Sequence, residues 1–298
     1  MSLTTLAIPA YILLMAFELL SYRFLPDEGE QGYAPRDTAT SLSMGLGSIF
    51  ANLGWQVLTL ATYLYFSHLT PLHVTPSWWS WALVFVLADF TYYWSHRADH
   101  RVRILWAAHI NHHSSQHYNL STALRQSWTS IGTMPLGLPM ILLGFPPAMI
   151  FTVQSANLLY QFWIHTERID KMWRPVEFVM NTPSHHRVHH GSNRKYLDRN
   201  FGGVFIVWDR MLGTFTVETE RVVFGLTRNI DTFNPLRVAF HEYAAIGRDL
   251  RAVRTPAEWY GVLFRSPGKA YTIAKRARAR LAAAESGGGA SAATIAAR

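Results

Sequence analysis

Apolar positions along the chain gather into long blocks separated by short polar stretches. Leu3 to Tyr22 is apolar apart from Glu18 and a few small polar residues. Ser41 to Phe66 contains no charged residue, and Ser77 to about Ser95 opens with tryptophans of the kind that favour a membrane interface. A helix needs about 20 predominantly apolar residues to cross the hydrocarbon of a bilayer. These three blocks therefore predict three spans. A fourth apolar region runs from Ile131 to Ile164 and is broken by the GFPP sequence at Gly144 to Pro147. Two arms joined by a turn predict a helical hairpin that enters and leaves on one side.

Polar positions inside the blocks are ordered. Along the third block Asp89, Tyr93, His96 and His100 step by 4, 3 and 4 residues, and along the second arm of the hairpin Gln154, Asn157, Gln161 and His165 step by 3, 4 and 4. Each series lies on one helix face, and polar groups on a membrane helix turn toward protein or a cavity. Asp89 and Asn157 are expected to hold imidazoles from behind, His165 to be a metal ligand, and Gln161 to be a ligand or a supporting group. The linker Ser67 to Pro76 carries no Lys or Arg, whereas Arg23 and Arg36 flank the other end of the second block, and Arg97, Arg101 and Arg103 follow the third. The positive-inside rule then puts the linker outside and residues 96 onward, the hairpin excepted, on the cytosolic side.

Composition supports a membrane protein: of 298 residues only 15% are charged and 14% are aromatic. The formal charge is +8, with basic residues interleaved among histidines and apolar blocks, which favours an anionic lipid surface over nucleic acid as partner. Cysteine is absent, which excludes disulfides, thiolate metal sites and a cysteine nucleophile. The first block lacks a basic leader region and a small-residue cleavage site, so it reads as a retained span.

Eleven of the fourteen histidines fall in two windows, 96 to 117 and 165 to 190. "HRADH" sets His96 and His100 four apart; "HINHH" sets His109, His112 and His113 at i, i+3 and i+4; "HRVHH" repeats that spacing with His186, His189 and His190. Residues three and four apart share a helix face, so each box can aim its rings at one point, as a metal requires. The nine residues from His100 to His109 would turn the second box about half a revolution away on an unbroken helix, so a bend is expected at Arg101 to Arg103. With His165 the boxes offer nine nitrogen donors, too many for one ion, and two metals with four or five ligands each are expected. Imidazole suits zinc, copper and iron alike; hydrolytic zinc usually takes three protein ligands and an open position. An all-nitrogen pair at the lipid boundary suits oxygen activation, and iron is the first choice. His185 stands in reserve beside its box, His117 and His241 read as structural, and His68 and His73 as solvent histidines. Glu167 reads as an exposed carboxylate at a helix end, and residues 196 to 215 as a turn and packing layer beneath the third box.

Three boxes of the form H-x3-H, H-x2-HH and H-x2-HH on a membrane chain resemble the fatty acid hydroxylase/sterol desaturase superfamily of non-haem di-iron enzymes. "WAAHINHHSSQHYNLSTALRQS", "LLYQFWIHTE", "NTPSHHRVHHGSNRKYLDRNFGGVFIVWDRMLGTF" and "VVFGLTRNIDTFNPLRVAFHE" are similar to the ether-lipid-cleaving branch, the alkylglycerol monooxygenases, over roughly residues 35 to 245. The resemblance implies an all-α integral membrane bundle, with a cytosolic histidine-rich helical cap above the three spans and hairpin. It also implies metal ligation by His96, His100, His109, His112, His113, His186, His189 and His190, with His165 where relatives carry a further ligand. Gln161 stands where some members have histidine. The implied chemistry is insertion of one atom of dioxygen into a lipid C–H bond at two ferrous ions, here at the carbon next to a glyceryl ether oxygen. The electrons come from an external reductant, tetrahydrobiopterin in that branch. A sterol or fatty-acyl hydroxylase or desaturase is the sister reading, and a divalent-metal transporter the reading from another class. The expected division is a membrane-embedded oxygenase domain with its cap over 1–255, a basic amphipathic segment over 256–284 and a disordered tail over 285–298. The alanine- and arginine-rich C-terminal region and the lack of cysteine favour a bacterial inner membrane over the endoplasmic reticulum.

Overall fold

The computed structural model describes residues 3–27, 29–129 and 134–296, with side chains described up to residue 283. In chain order its helices are α1 (Leu3–Leu6), α2 (Ile8–Phe24), α3 (Pro35–Leu69), α4 (Trp78–Arg101), α5 (Arg103–His109), α6 (Leu138–Leu142), α7 (Pro147–Trp163), α8 (Arg174–Val179), α9 (Pro183–His190), α10 (Val207–Leu212), α11 (Pro235–Ala252), α12 (Pro256–Phe264) and α13 (Pro267–Ala296). Short 3-10 turns occur at His112–Ser114, Thr122–Leu124 and Met134–Gly137. The described residues contain no β-strand, only an isolated antiparallel bridge between Met180 and Phe205. Among them, one helix, α3, is both long and apolar enough to cross a membrane.

α3 has 35 residues, more than its apolar block requires, because Pro35 starts it early and its first turns bury Asp37, Thr40 and Ser41. α4 begins at a capping box in which Ser77 and Ser80 bond each other's backbone N–H groups. The hairpin is asymmetric. Its second arm is α7, 17 residues long, whereas the first has a 3-10 turn and the five-residue α6; its start at Ile131 to Thr133 lies outside the described residues. The tip lies against the 70–75 linker: Val74 N donates to Gly144 O at 2.9 Å and Thr70 Oγ1 to Leu142 O at 2.8 Å. Gly144 has φ +89°, and a Cβ there would sit 2.5 Å from the Leu72 carbonyl, so both conformation and space require glycine.

The apolar core between α3, α4, α6 and α7 contains Tyr63, Val84, Ala88, Met140, Ile141 and Ile150. Packing there runs alongside the polar ridges and fixes α4 and α7 with both C-terminal ends toward the histidines. Beyond the histidines, α11, α12 and α13 pack on α5. Arg103 at the start of α5 is fully buried and pairs with Glu242 at 2.7 Å and Asp249 at 2.8 Å, both on α11. Ala274 and Ala277 of α13 are buried against Val253 and Val262. The expected tail, 285–298, lies outside the residues whose side chains are described.

Candidate metal centre

His96 and His100 lie on the last turns of α4. The helix stops at Val102, whose backbone is extended (φ −124°, ψ 116°), and α5 leaves in a new direction, so the bend falls within the expected Arg101 to Arg103. The second box departs from the expected single helix face. α5 ends at His109, and His112 and His113 open a 3-10 turn in which the Asn111 side chain accepts from His112 N at 2.8 Å. His165 follows the end of α7. α9 starts from an extended Thr182, with Pro183 in its first turn, and carries the third box.

These pieces meet as two groups of imidazoles. His96, His100, His109, His113 and His189 each bring one ring nitrogen within 4.8 Å of the others, and His112, His165, His186 and His190 do the same. The groups abut, with the rings of His113 and His190 stacked at 4.4 Å. Each group therefore draws on both windows of the chain, and the adjacent pairs His112/His113 and His189/His190 are divided between them. That division follows from the break in the second box and from the turn of about 100° between consecutive side chains on α9.

The donor sets fit a metal pair. Within the first group His109 Nε2 lies 3.1 Å from His96 Nε2 and 3.0 Å from His113 Nε2. Within the second, His165 Nε2 lies 3.2 Å from His112 Nε2 and 2.9 Å from His186 Nε2, and His186 Nε2 lies 3.2 Å from His190 Nε2. Metal–nitrogen bonds of about 2.1 Å put neighbouring ligand nitrogens about 3.0 to 3.4 Å apart. His100 Nε2 and His189 Nε2 are buried with no hydrogen-bond partner, a costly state unless a cation takes the lone pair. Burial disfavours the charged ring, and neighbouring imidazoles add to this in most cases: His96 and His165 are held down to about 4, the other seven well below 6.5. All nine are thus neutral near pH 7 and can ligate.

Backbone carbonyls orient the rings. His96 Nδ1 donates to Phe201 O at 2.9 Å, His165 Nδ1 to Gln161 O at 2.7 Å and His189 Nδ1 to Arg199 O at 3.0 Å. A proton on Nδ1 leaves the Nε2 lone pair facing the group.

The side chains expected to support the imidazoles act elsewhere. Asp89 bonds no imidazole: it accepts from Val204 N at 2.7 Å, Phe205 N at 3.1 Å, Trp208 Nε1 at 2.8 Å and Asn157 Nδ2 at 2.6 Å. Asn157 likewise meets Asp89 and Gln161, and the Gln161 amide is occupied by Asn157 and the Tyr92 hydroxyl. The two polar ridges therefore pair with each other, and their effect on the rings passes through the loop that Asp89 holds. His185 points away from both groups, to Glu177 at 2.9 Å. His117 and His241 are in neither group, and His68 and His73 are exposed. Glu167 is half-buried rather than exposed, bonded to Gln31 N and 3.6 Å from Arg221.

The 199–215 segment does more than pack. It supplies the Arg199 and Phe201 carbonyls, and Asp209 clamps it by accepting from Phe201 N at 2.8 Å and Gly202 N at 2.7 Å. At Gly203 a Cβ would come within 2.8 Å of both Asn157 Oδ1 and Asp89 Oδ1, so the loop approaches the ridges only as glycine. A buried ion pair and a buried carboxylate, both missed in the sequence, brace the second box and the residues beside His165. Arg125 bonds Asp37 at 3.0 Å and Ser114 Oγ at 3.1 Å, while Asp37 also accepts from Ser115 Oγ. Glu18 of α2 accepts from Leu120 N at 2.8 Å and Thr166 Oγ1 at 2.5 Å, tying the first apolar block to the residues beside His165. A charge inside an apolar block was the available signal for Glu18; Arg125 and Asp37, 88 residues apart, offered none.

Residues 81–214, the stretch that contains all nine imidazoles, match the family model described as Fatty acid hydroxylase. The chain is 43% identical over 264 residues to alkylglycerol monooxygenase from Homo sapiens, covering 88% of this chain and 59% of the relative. It is 42% identical over 234 residues to alkylglycerol monooxygenase from Xenopus tropicalis, covering 78% and 52% respectively. Ornithine lipid hydroxylase from Rhizobium tropici is 29% identical over 149 residues, covering 48% of this chain and 45% of the relative. The chain spans little more than half the length of the alkylglycerol monooxygenases just described. No solved structure matches it. Residues 81–214 thus carry a match to the Fatty acid hydroxylase family model, on a chain that has one helix long and apolar enough to cross a membrane.

Proposed function

We propose that this chain is a membrane non-haem di-iron monooxygenase that hydroxylates a lipid C–H bond, at the carbon next to the ether oxygen of a glyceryl ether. The observation that carries this reading is the meeting of nine neutral imidazoles in two abutting groups of five and four. In it, His96, His100, His109, His113 and His189 hold one ion, and His112, His165, His186 and His190 hold the other. Two bound ferrous ions supply the activation of dioxygen, with electrons from an external donor of the reduced pterin type. The chain's own residues set the geometry: the Phe201, Arg199 and Gln161 carbonyls aim the rings, and Asp89, Asp209 and Arg125 fix the loops that bear those carbonyls or the second box. Similarity to alkylglycerol monooxygenases over most of the chain supports the ether lipid as substrate.

In this reading three spans, Leu3 to Tyr22, Ser41 to Phe66 and Ser77 to Ser95, and the hairpin hold the chain in the bilayer. The dimetal centre lies at its cytosolic edge, and the host is a bacterial inner membrane. Divalent-metal transport would place ligands near the bilayer midplane on broken helices, whereas these lie at the ends of α4 and α7. The test is elemental analysis of purified protein, followed by product analysis with dioxygen and a reduced pterin. About two irons per chain and an aldehyde released from a glyceryl ether are expected. No bound metal after anaerobic iron loading would sink the metal assignment, and turnover of sterols, fatty acids or ornithine lipids with glyceryl ethers inert would replace the substrate.

A further inference from the structure

Asp89 faces no metal ligand, yet it is fully buried and spends its carboxylate on one loop, taking the N–H groups of Val204 and Phe205 and the Trp208 indole. Asp89 precedes His96 by seven residues, about 10 Å along α4, and Phe85 precedes it by eleven, about 16 Å. Phe85 nonetheless packs edge-on against Phe205 at 6.0 Å, and Phe90 against Trp208 at 5.0 Å. The loop from the histidine-rich side thus runs back along α4 to the middle of that helix. Irregular backbone at membrane depth is tolerated only where its polar groups are satisfied inside the protein. Here they are: besides the Asp89 bonds, Asn181 N donates to Val204 O at 2.8 Å, Ile206 N to Val179 O at 3.0 Å and Asn181 Nδ2 to Gly202 O at 2.7 Å.

The outer surface of this unit is apolar. α8 and α10 present Phe178 and Met211, 61% and 73% exposed, together with Val179 and Leu212, and Trp173 stands exposed just before α8. On α4, exposed Trp94 packs on Phe90, which meets Trp208 of α10, and Val86 is exposed one turn before Phe90. Lys171 and Arg174, both exposed, flank Trp173, as expected at an anionic headgroup layer. Arg210, the cation on α10, is bonded to the Glu177 and Phe178 carbonyls at 3.0 Å and stacks over the Phe215 ring at 3.6 Å, so its charge meets protein dipoles.

We propose that α8, α10 and the loop from Gly202 to Ile206 are a re-entrant wedge, dipping from the cytosolic side into the acyl layer beside α4, with the lipid bilayer as the partner of the Trp173–Phe178–Met211 face. The proposal rests on the reading that α4 crosses the membrane. Because the chain has no cysteine, single variants Phe178→Cys, Met211→Cys, Val86→Cys and His73→Cys can each carry one thiol-reactive fluorophore in full-length protein reconstituted in anionic liposomes. Nitroxides on the acyl chains and iodide present on both sides of the membrane are the quenchers. The expected result is loss of fluorescence to nitroxide but not iodide at 178 and 211, matching 86, with iodide quenching at 73. Iodide quenching at 178 and 211 with 86 still lipid-quenched would overturn the wedge and leave the α4 span intact. Iodide quenching at 86 would overturn both, and protection of 178 and 211 from both quenchers would overturn the wedge in favour of a protein partner. All four substituted side chains are exposed, so the readout does not depend on repacking a core.

Discussion

His186 and His189 lie three residues apart on α9 and serve different imidazole groups. Replacing them therefore separates the two pockets. His186→Ala reduces a set of four donors to three, while His189→Ala leaves four of five. Iron per chain is expected to fall from about two toward one in the first variant and to stay nearer two in the second, with lower affinity at one site. His185→Ala, whose ring meets Glu177 instead, keeps the full complement. Elemental analysis after equilibration with limiting iron reads all three, and equal losses in the 186 and 189 variants would contradict the division. The ring-bearing residues were legible in the sequence because imidazoles are rare and their spacing is regular. Their allocation was not, since i, i+3, i+4 spacing presumes a continuous helix and α5 ends at His109.

Among elements, α5 depends on a partner distant in sequence. Arg103 is enclosed by Glu242 and Asp249 of α11, and Arg278 of α13 reaches Asp249 at 2.7 Å. Removing one member of a buried ion pair costs about 3–5 kcal/mol because the other charge is left uncompensated. Arg103→Ala is expected to loosen α11 to α13 from α5, seen as faster limited proteolysis near Val253 to Thr255 and a lower melting temperature; unchanged cleavage would mean that packing alone holds them. Residues 256–284 read from sequence as a basic amphipathic segment and α11 as part of the oxygenase domain, and the interlock of α11 with α5 was hidden because the Arg103–Glu242 pairing spans 139 residues. The apolar blocks were more legible: α2, α3, α4 and α7 each fall on a predicted block, since hydrophobic runs report local chemistry. The short first arm was not, because Pro135 and Pro139 interrupt it with 3-10 geometry where composition alone reads as helix.

Across the whole molecule, the imidazole groups join α4, α5 and the turn after it, the end of α7 and α9, so bound metal adds a tie between parts that are distant in sequence. A ligand that binds only the folded state stabilises it, by about 2.7 kcal/mol at a hundredfold excess over Kd. Chelation in detergent is expected to lower the thermal midpoint by about 5 °C or more, recovered by anaerobic iron; a midpoint indifferent to metal would show that these segments hold together without it. Three of the rings are aimed by peptide oxygens of residues 161, 199 and 201, which persist whatever side chain those positions carry. A conventional alanine scan would therefore pass straight over these grips and score them as dispensable. Only a change in the main chain itself, such as an amide-to-ester exchange or an inserted residue, could reveal how much aim they provide.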